Sequence, residues 1–226
     1  TDFNALAELL YPDIDKTPED YEKIYPERQL KEGAKVTRFA PSPTGYIHIG
    51  NLFTAMISKL AAEVSGGVFF LRIEDTDKKR EVENGVSAIL SGLSQYGIVP
   101  MEGMTGEDSE KGAYSPYKQS LRKEIYACFA KDLVRKGLAY PCFCTEEELN
   151  EMREKQVQAG VNTGYYGEWA KCRNLSFEEQ KSLIESGRPF VLRLRSQGNP
   201  ENYIKTEDML RGRMEMPENN MDVVLI

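Results

Sequence analysis

The sequence predicts an α/β fold built on a doubly wound parallel sheet, and three observations predict it. Val36 to Ala40 reads as a strand that runs into a turn rich in proline and glycine. Val68 to Ile73 is a near-continuous apolar run, as expected of a parallel strand buried on both faces. Asn51 to Val64 and Val82 to Tyr96 carry apolar residues at helical spacing. Strand, helix, strand, helix is the order from which open parallel sheets are wound.

Taken in order, residues 1–33 read as an ordered N-terminal extension. Leu6, Leu9 and Leu10 suggest a short helix, and Thr17-Pro-Glu-Asp20 a second helix start with proline in its first turn. Tyr21, Ile24 and Tyr25 would then face inward. Residues 34–117 read as the doubly wound α/β part. In its first helix Leu52, Met56, Leu60 and Val64 share a face, and Gly66-Gly67 ends it. In the second, Val82, Val86, Ile89 and Leu93 do the same, with Gly97 after the end.

From residue 118 to 221 the rhythm changes to that of an inserted α/β domain. Leu121, Ile125, Phe129 and Leu133 define one long helix ending near Gly137. Thr145-Glu-Glu-Glu148 is a capping box opening a charged helix to Gly160, and Ser176-Phe-Glu-Glu179 opens another that ends at Gly187. Phe190, Leu192 and Leu194 alternate with Val191, Arg193 and Arg195, the pattern of a half-buried strand. Residues 222–226 belong to an apolar run.

Composition bounds the function. The chain has 226 residues, 40% of them hydrophobic, which is enough for a packed core and excludes wholesale disorder. A net charge of -7 does not suggest a nucleic-acid binder, although a local basic face can operate on an acidic protein. The N-terminus lacks a basic, cleavable apolar leader, and no run approaches the roughly 18 apolar residues of a membrane helix. Cys128, Cys142, Cys144 and Cys172 do not make a disulfide framework in a chain this long, so a reducing cytoplasm is expected.

The single histidine, His48, lies in Arg38-Phe-Ala-Pro-Ser-Pro-Thr-Gly-Tyr-Ile-His-Ile-Gly-Asn51. A strand, a tight turn and a helix N-terminus is the geometry that receives phosphate, because first-turn N–H groups are unpaired and the dipole favours an anion. Glu74-Asp75-Thr76-Asp77 closes the second strand, where open α/β sheets place ligands. A metal site is not the favoured reading of these carboxylates. Alternate residues point to opposite faces, and Lys78, Lys79 and Arg80 partly neutralise them. Lys78 to Arg80 otherwise read as a solvated helix start. Arg38 without a ligand would make a strand-end salt bridge with Glu74, a pairing compatible with a binding role.

The His48 segment resembles the HIGH signature of class I aminoacyl-tRNA synthetases. With Arg38 and Leu71-Arg-Ile-Glu-Asp-Thr-Asp77 it is similar to the glutamyl-tRNA synthetase family. The resemblance implies ATP-dependent ligation of glutamate to tRNA through glutamyl-adenylate. It implies that Pro41, Thr44, Gly45, His48, Gly50 and Asn51 bind ATP with its Mg2+, and that His48 is catalytic. It implies that Arg38 reads the substrate γ-carboxylate, which suits a planar, permanently charged fork. Ser42 would lie beside the substrate and Glu74 would contact its amino group. Arg80 would approach the tRNA 3′ end, and 118–221 would bind the acceptor stem of tRNA(Glu). A monomer is expected.

By the same resemblance the chain corresponds to about the first half of a synthetase, with 34–117 the N-terminal half of its Rossmann-like catalytic domain and 222–226 the start of the strand that returns to it. The rest of the catalytic domain, the lysine-bearing loop and the anticodon-binding domain are expected to be missing, and the fragment to be inactive alone. Two other readings remain: the shortened paralogue that glutamylates queuosine in tRNA(Asp), and a non-catalytic acceptor-stem-binding fragment. The N-terminal extension and the long Gly164-to-Cys172 loop argue against the paralogue.

Some family members hold a structural zinc through Cys-x-Cys, a later cysteine, and a histidine or tyrosine. Cys142, Cys144 and Cys172 offer three ligands here, and zinc wants four. Tyr165 or Glu168 is the candidate for the fourth, but Tyr165 stands further from Cys172 than the metal-binding pattern has it. Packed free thiols are therefore expected.

Overall fold

Gly66 and Gly67 fix how the first two strands meet. In the computed structural model, which describes residues 2–45, 47–208 and 211–226, β1 (Val36–Phe39) is followed by α3 (Ile49–Ser65) and β2 (Val68–Leu71). Gly66 takes the left-handed conformation, φ 66°, that lets the α3 terminus turn back. A Cβ on Gly67 would lie 1.9 Å from Lys35 O, so only glycine lets the β2 backbone approach β1 here. The strands then run parallel, Val36 opposite Val68 and Phe39 opposite Leu71.

The chain divides into two compact units, Pro18–Tyr126 and Thr1–Thr17 with Ala127–Ile226. In the first, α4 (Gly85–Gln95) leads to β3 (Glu102–Met104), which is parallel to β2, and β4 (Glu110–Lys111) pairs antiparallel with β3. The sheet order is β1-β2-β3-β4. Its core joins Phe39, Phe69, Leu71 and Ile73 from the sheet region to Leu52, Ala55 and Ala62 of α3 and Val86, Ile89 and Leu93 of α4. The α/β reading and the parallel pairing hold.

Details differ from the sequence expectation. On α3 the buried residues are Leu52, Ala55 and Ala62, whereas Leu60 and Val64 are 45% and 85% exposed. Successive four-residue steps each turn about 40° past one face, so Leu52, Met56, Leu60 and Val64 spiral off it. Val82 is exposed and lies outside α4. Asn84 takes a left-handed φ of 56° before the helix, and Val82 N–H instead donates to Pro43 O. Lys78 to Arg80 form a turn and not a helix start. In α2 (Pro18–Ile24) Tyr21 is buried and stacks on Tyr25, but Ile24 is exposed. Arg28, just beyond, makes a bidentate pair with Glu102 at 2.6 and 2.7 Å and lies over the Tyr114 ring.

In the second unit, α1 (Phe3–Leu10) is capped by Asp2 and buries Leu6 and Ala7 against Ala130 and Val134 of α5 (Lys123–Arg135). Leu121 and Phe129 are exposed, and the buried positions include Cys128 and Lys131. The Lys131 ammonium reaches Glu8 at 2.7 Å and Ile14 O at 2.9 Å, which makes its burial tolerable. β5 (Ala139–Cys142) pairs antiparallel with β6 (Val191–Leu194). α6 (Glu146–Gln158) and α7 (Phe177–Glu185) each begin with the expected capping box fully formed. A hairpin, β7 (Tyr203–Asp208) and β8 (Gly212–Pro217), carries no sequence signal that singled it out. No helix among the described residues is long and apolar enough to cross a membrane.

β6 is not half-buried by alternation. Leu192 and Arg193 are both buried, while Phe190 is at the exposed margin. Arg193 lies over the Tyr165 ring and donates to Asp222 O, and Arg195 lies over Tyr140 and donates to Arg173 O. Of residues 222–226, expected to start a return strand, 223–226 hydrogen-bond along β6: Leu194 N–H to Val223 O and Leu192 N–H to Ile226 O. Asp222 anchors this corner. Its buried carboxylate accepts from Tyr140 OH at 2.6 Å, from Ser196 N–H at 2.8 Å and from Arg173.

Asp222→Ala strips the Arg173 guanidinium of its counter-ion and leaves the Tyr140 hydroxyl without its partner, so we expect it to cost about 3–5 kcal/mol in urea denaturation. A variant with unchanged midpoint and slope would show that this network does not hold the unit together.

Candidate active site

The parallel ladder runs past the ends of both strands. Arg72 N–H donates to Phe39 O at 3.1 Å and Glu74 N–H to Pro41 O at 3.0 Å. Residues two apart on an extended chain share a face, and this register sets Glu74 beside Arg38, with Oε1 3.6 Å from Nη1. Arg38 and Glu74 thus form the strand-end pair expected from the sequence. Both remain partly exposed, at 41% and 33% of their side chains, and open to a ligand. Arg72, which sequence reasoning passed over, reaches the same Glu74 oxygen at 3.4 Å. Its spacing from Glu74 was the signal available.

Beyond β1 the chain folds tightly against α4. Thr44 N–H donates to Ser42 O, and Val82 N–H to Pro43 O. A Cβ on Gly85 would stand 2.8 Å from the Pro43 Cβ, so glycine at the first position of α4 lets the loop sit down. A pocket of about 250 Å³ results, lined by Pro41, Ser42, Thr44, Gly45, Ile47, His48, Asn51 and Ile89. The fold therefore gathers six candidate residues in one cavity. Ile47 and Ile89 were missed as lining. Helical spacing reads Ile89 only as a core position, and tertiary packing brings it beside the loop.

His48 is the N-cap of α3, which starts two residues earlier than expected, at Ile49. Its imidazole makes no capping hydrogen bond and is exposed, so it is available to a ligand at the positive end of a 17-residue helix. Gly50 does not line the pocket. It borders an apolar groove with Phe53, Met56 and Tyr96. A Cβ there would stand 3.4 Å from the His48 ring, an ordinary van der Waals contact.

The carboxylates of the second motif go to separate partners. Asp75 is buried and accepts from Ser120 N–H at 2.8 Å and from its hydroxyl. Burial pushes its pKa up, but the Ser120 hydrogen bonds, with its own backbone N–H and the Lys78 charge, together hold it below the ordinary value. Asp77 pairs with exposed Arg80 at 2.6 Å, which lowers the Asp77 pKa. Glu74 alone is left facing Arg38 and Arg72.

Elsewhere, Cys142, Cys144 and Cys172 bring their sulfurs within 4.8 Å of one another. The objection from spacing fails here. Tyr165 OH lies 3.3 Å from Cys144 Sγ, because the Gly167–Trp169 and Lys171–Asn174 helical turns coil the intervening chain and return it to the thiols. A tetrahedral zinc with Zn–S near 2.3 Å would hold its sulfurs about 3.8 Å apart, and Cys144 and Cys172 stand 3.7 Å apart. Backbone N–H groups already point at the donors, Phe143 to Cys172 Sγ and Cys172 to the Tyr165 oxygen. The hydrogen bonds among these groups push the Cys142 thiol down but the Cys144 thiol and, with burial, the Tyr165 hydroxyl up, so the fit rests on the distances. The donor set fits zinc. Glu168, the other candidate, instead borders a separate surface pocket with Trp169 and Lys171.

The family model of the tRNA synthetases class I (E and Q), catalytic domain, matches residues 35–226. The chain is 54% identical over 224 residues to the glutamate--tRNA ligase of Clostridium perfringens strain 13, covering 99% of this chain and 41% of that protein. It is 50% identical over 226 residues to the glutamate--tRNA ligase of Acetivibrio thermocellus, again covering 41% of the relative. Among solved structures it resembles a glutamate tRNA ligase from Elizabethkingia meningosepticum in complex with its amino acid. That match has a TM-score of 0.71 and 35% identity, and covers 84% of this chain and 38% of that one. The chain thus spans about two-fifths of the length of the relatives it matches. On the match across residues 35–226, the chain belongs to the class I tRNA synthetases of the E and Q type, within their catalytic domain.

Proposed function

We propose that this chain carries the ATP and glutamate sites of an enzyme that ligates glutamate to tRNA through glutamyl-adenylate. The observation that carries the reading is the pocket of Pro41, Ser42, Thr44, Gly45, His48 and Asn51 beside the Arg38–Glu74 pair. In this reading the glutamate α-carboxylate attacks the α-phosphate of ATP, which arrives with Mg2+, and pyrophosphate leaves. The residues act mainly by positioning and by stabilising charge. His48 donates an N–H to the phosphates at the α3 N-terminus. Gly50, the second residue of α3, offers backbone that a nucleotide ring can approach closely.

Arg38 exchanges its loose 3.6 Å contact with Glu74 for the substrate γ-carboxylate, and Glu74 takes the substrate ammonium. Ser42 lines the cavity that holds His48. Glutamine is rejected because an amide leaves the Arg38 charge uncompensated. Arg80, at the exposed turn, is offered to the tRNA 3′ end, and the domain after residue 118 to the acceptor stem. A cytoplasmic, monomeric enzyme goes with this reading. The relatives' glutamate--tRNA ligase names favour it over the queuosine-modifying paralogue and over a non-catalytic module. Cys142, Cys144, Cys172 and Tyr165 would hold a zinc ion whose role is to fix the loop around them, with no part in the chemistry.

In the protein at its natural full length, His48→Ala should lower kcat for adenylate formation by roughly 10²–10³, the usual loss for one transition-state donor. Glutamate KM should move less. Glutamate-dependent ATP–pyrophosphate exchange at a near-normal rate would reduce His48 to a helix cap.

Arg38→Ala should raise glutamate KM and lower kcat/KM by a factor equivalent to about 3 kcal/mol or more, because it strands a carboxylate without its partner. ATP KM should hardly change. If ATP binding collapses while glutamate binding survives, the assignment of Arg38 is wrong.

Elemental analysis of protein purified without chelator should find about one zinc per chain, and Cys142→Ser should remove it and lower the melting temperature. Zinc far below stoichiometry, with Cys142→Ser melting normally, would leave the cysteines as packed free thiols.

A further inference from the structure

We propose that Arg72 is a positioning residue for the amino-acid substrate, holding Glu74 back so that Arg38 is free to take the substrate carboxylate. The proposal deepens the glutamate-activating reading above and rests on it.

The parallel register places Arg38, opposite Phe70, on the same sheet face as the side chains two and four residues after Phe70, namely Arg72 and Glu74. One carboxylate thus faces two guanidiniums. Both contacts are made to a single oxygen, Glu74 Oε1, at 3.4 Å from Arg72 and 3.6 Å from Arg38. These are longer than the roughly 2.7–2.9 Å of a tight charge-assisted bond. Glu74 is shared between the two cations and locked to neither. The cations also differ in exposure: 41% of the Arg38 side chain is exposed and 21% of Arg72. The Arg72 Nε is buried without a hydrogen-bond partner among the described residues. Arg38 is the outer group that a ligand meets, and Arg72 is the inner one.

Bound glutamate brings two carboxylates and one ammonium. The face offers two guanidiniums and one carboxylate, a surplus of positive charge that matches an anionic amino acid. When the γ-carboxylate draws Arg38 away, Arg72 remains as the partner of Glu74. It holds Glu74 in place for the ammonium and keeps it off Arg38. Without Arg72, Glu74 has only Arg38 to pair with, and becomes an internal competitor of the substrate carboxylate.

The test is glutamate-dependent ATP–pyrophosphate exchange on the protein at its natural full length, with Arg72→Ala, Arg72→Lys, Glu74→Gln and the Arg72→Ala/Glu74→Gln double variant. Arg72→Ala should raise glutamate KM by roughly tenfold with ATP KM and melting temperature unchanged. Arg72→Lys, which keeps the charge but loses the fork, should recover part of this. In the Glu74→Gln background the Arg72 change should add little, because the competitor has gone. An Arg72→Ala protein with unchanged glutamate KM overturns the proposal. So does one that loses stability and both affinities alike, or one whose defect persists undiminished in the Glu74→Gln background. If the unmodified protein shows no glutamate-dependent exchange, the proposed function itself fails and takes this inference with it.

Discussion

The parallel pairing of β1 with β2 is the constraint on which the candidate site depends. Each strand ends in a motif of its own, the Arg38–His48 segment after β1 and Glu74–Asp77 after β2, and neither motif makes a site alone. Their ladder does not stop at the last strand residue. Phe39 O and Pro41 O go on to accept from Arg72 and Glu74, so register is imposed on the loops as well as on the sheet. A one-residue slip would turn Arg72 and Glu74 away from Arg38. Gly67, where a side chain would collide with Lys35 O, is what permits the close approach at the start of that ladder.

With register settled, the chemistry of the face follows from what each charged group has already been given. Asp75 is committed to Ser120 and Asp77 to Arg80, so neither competes for a ligand. Glu74 is held only loosely. The His48 imidazole is a helix cap in position but not in bonding, which leaves it free at the positive end of the α3 dipole. The loop between them is pressed onto α4 through Pro43 and Gly85, and this turns a flexible-looking Pro-Ser-Pro-Thr-Gly segment into the wall of a cavity.

The second unit uses a buried charge in the same organising way. Asp222 gathers Tyr140, Arg173 and the Ser196 backbone, while its own N–H donates to Tyr165 O at 2.8 Å. Arg193 covers the Tyr165 ring from the other direction. Tyr165 is thereby held at its backbone by Asp222 and at its ring by Arg193, and its hydroxyl is delivered to the cysteines. The geometry of the thiol cluster is therefore a property of the whole corner and not of the Cys-x-Cys sequence.

The sequence by itself determined the local elements whose physics is local. Both capping boxes formed as read, because a threonine or serine and a glutamate three residues on satisfy each other within one turn. The two apolar strands and the turn that carries His48 were equally legible, as was the strand-end pairing of Arg38 with Glu74. Only the tertiary structure decided which face of a helix is buried. Apolar residues four apart drift around the axis, so Leu60, Val64, Leu121 and Phe129 face outward although their spacing suggested otherwise. It alone decided that Lys131 and Arg193 are buried, since a cation enters a core only where distant partners such as Glu8 or Asp222 O await it. It alone brought Ile89 to the pocket, Arg72 to Glu74 and Tyr165 to the cysteines. Those meetings depend on strand register and chain reversal between residues remote in sequence, which spacing along the chain does not encode.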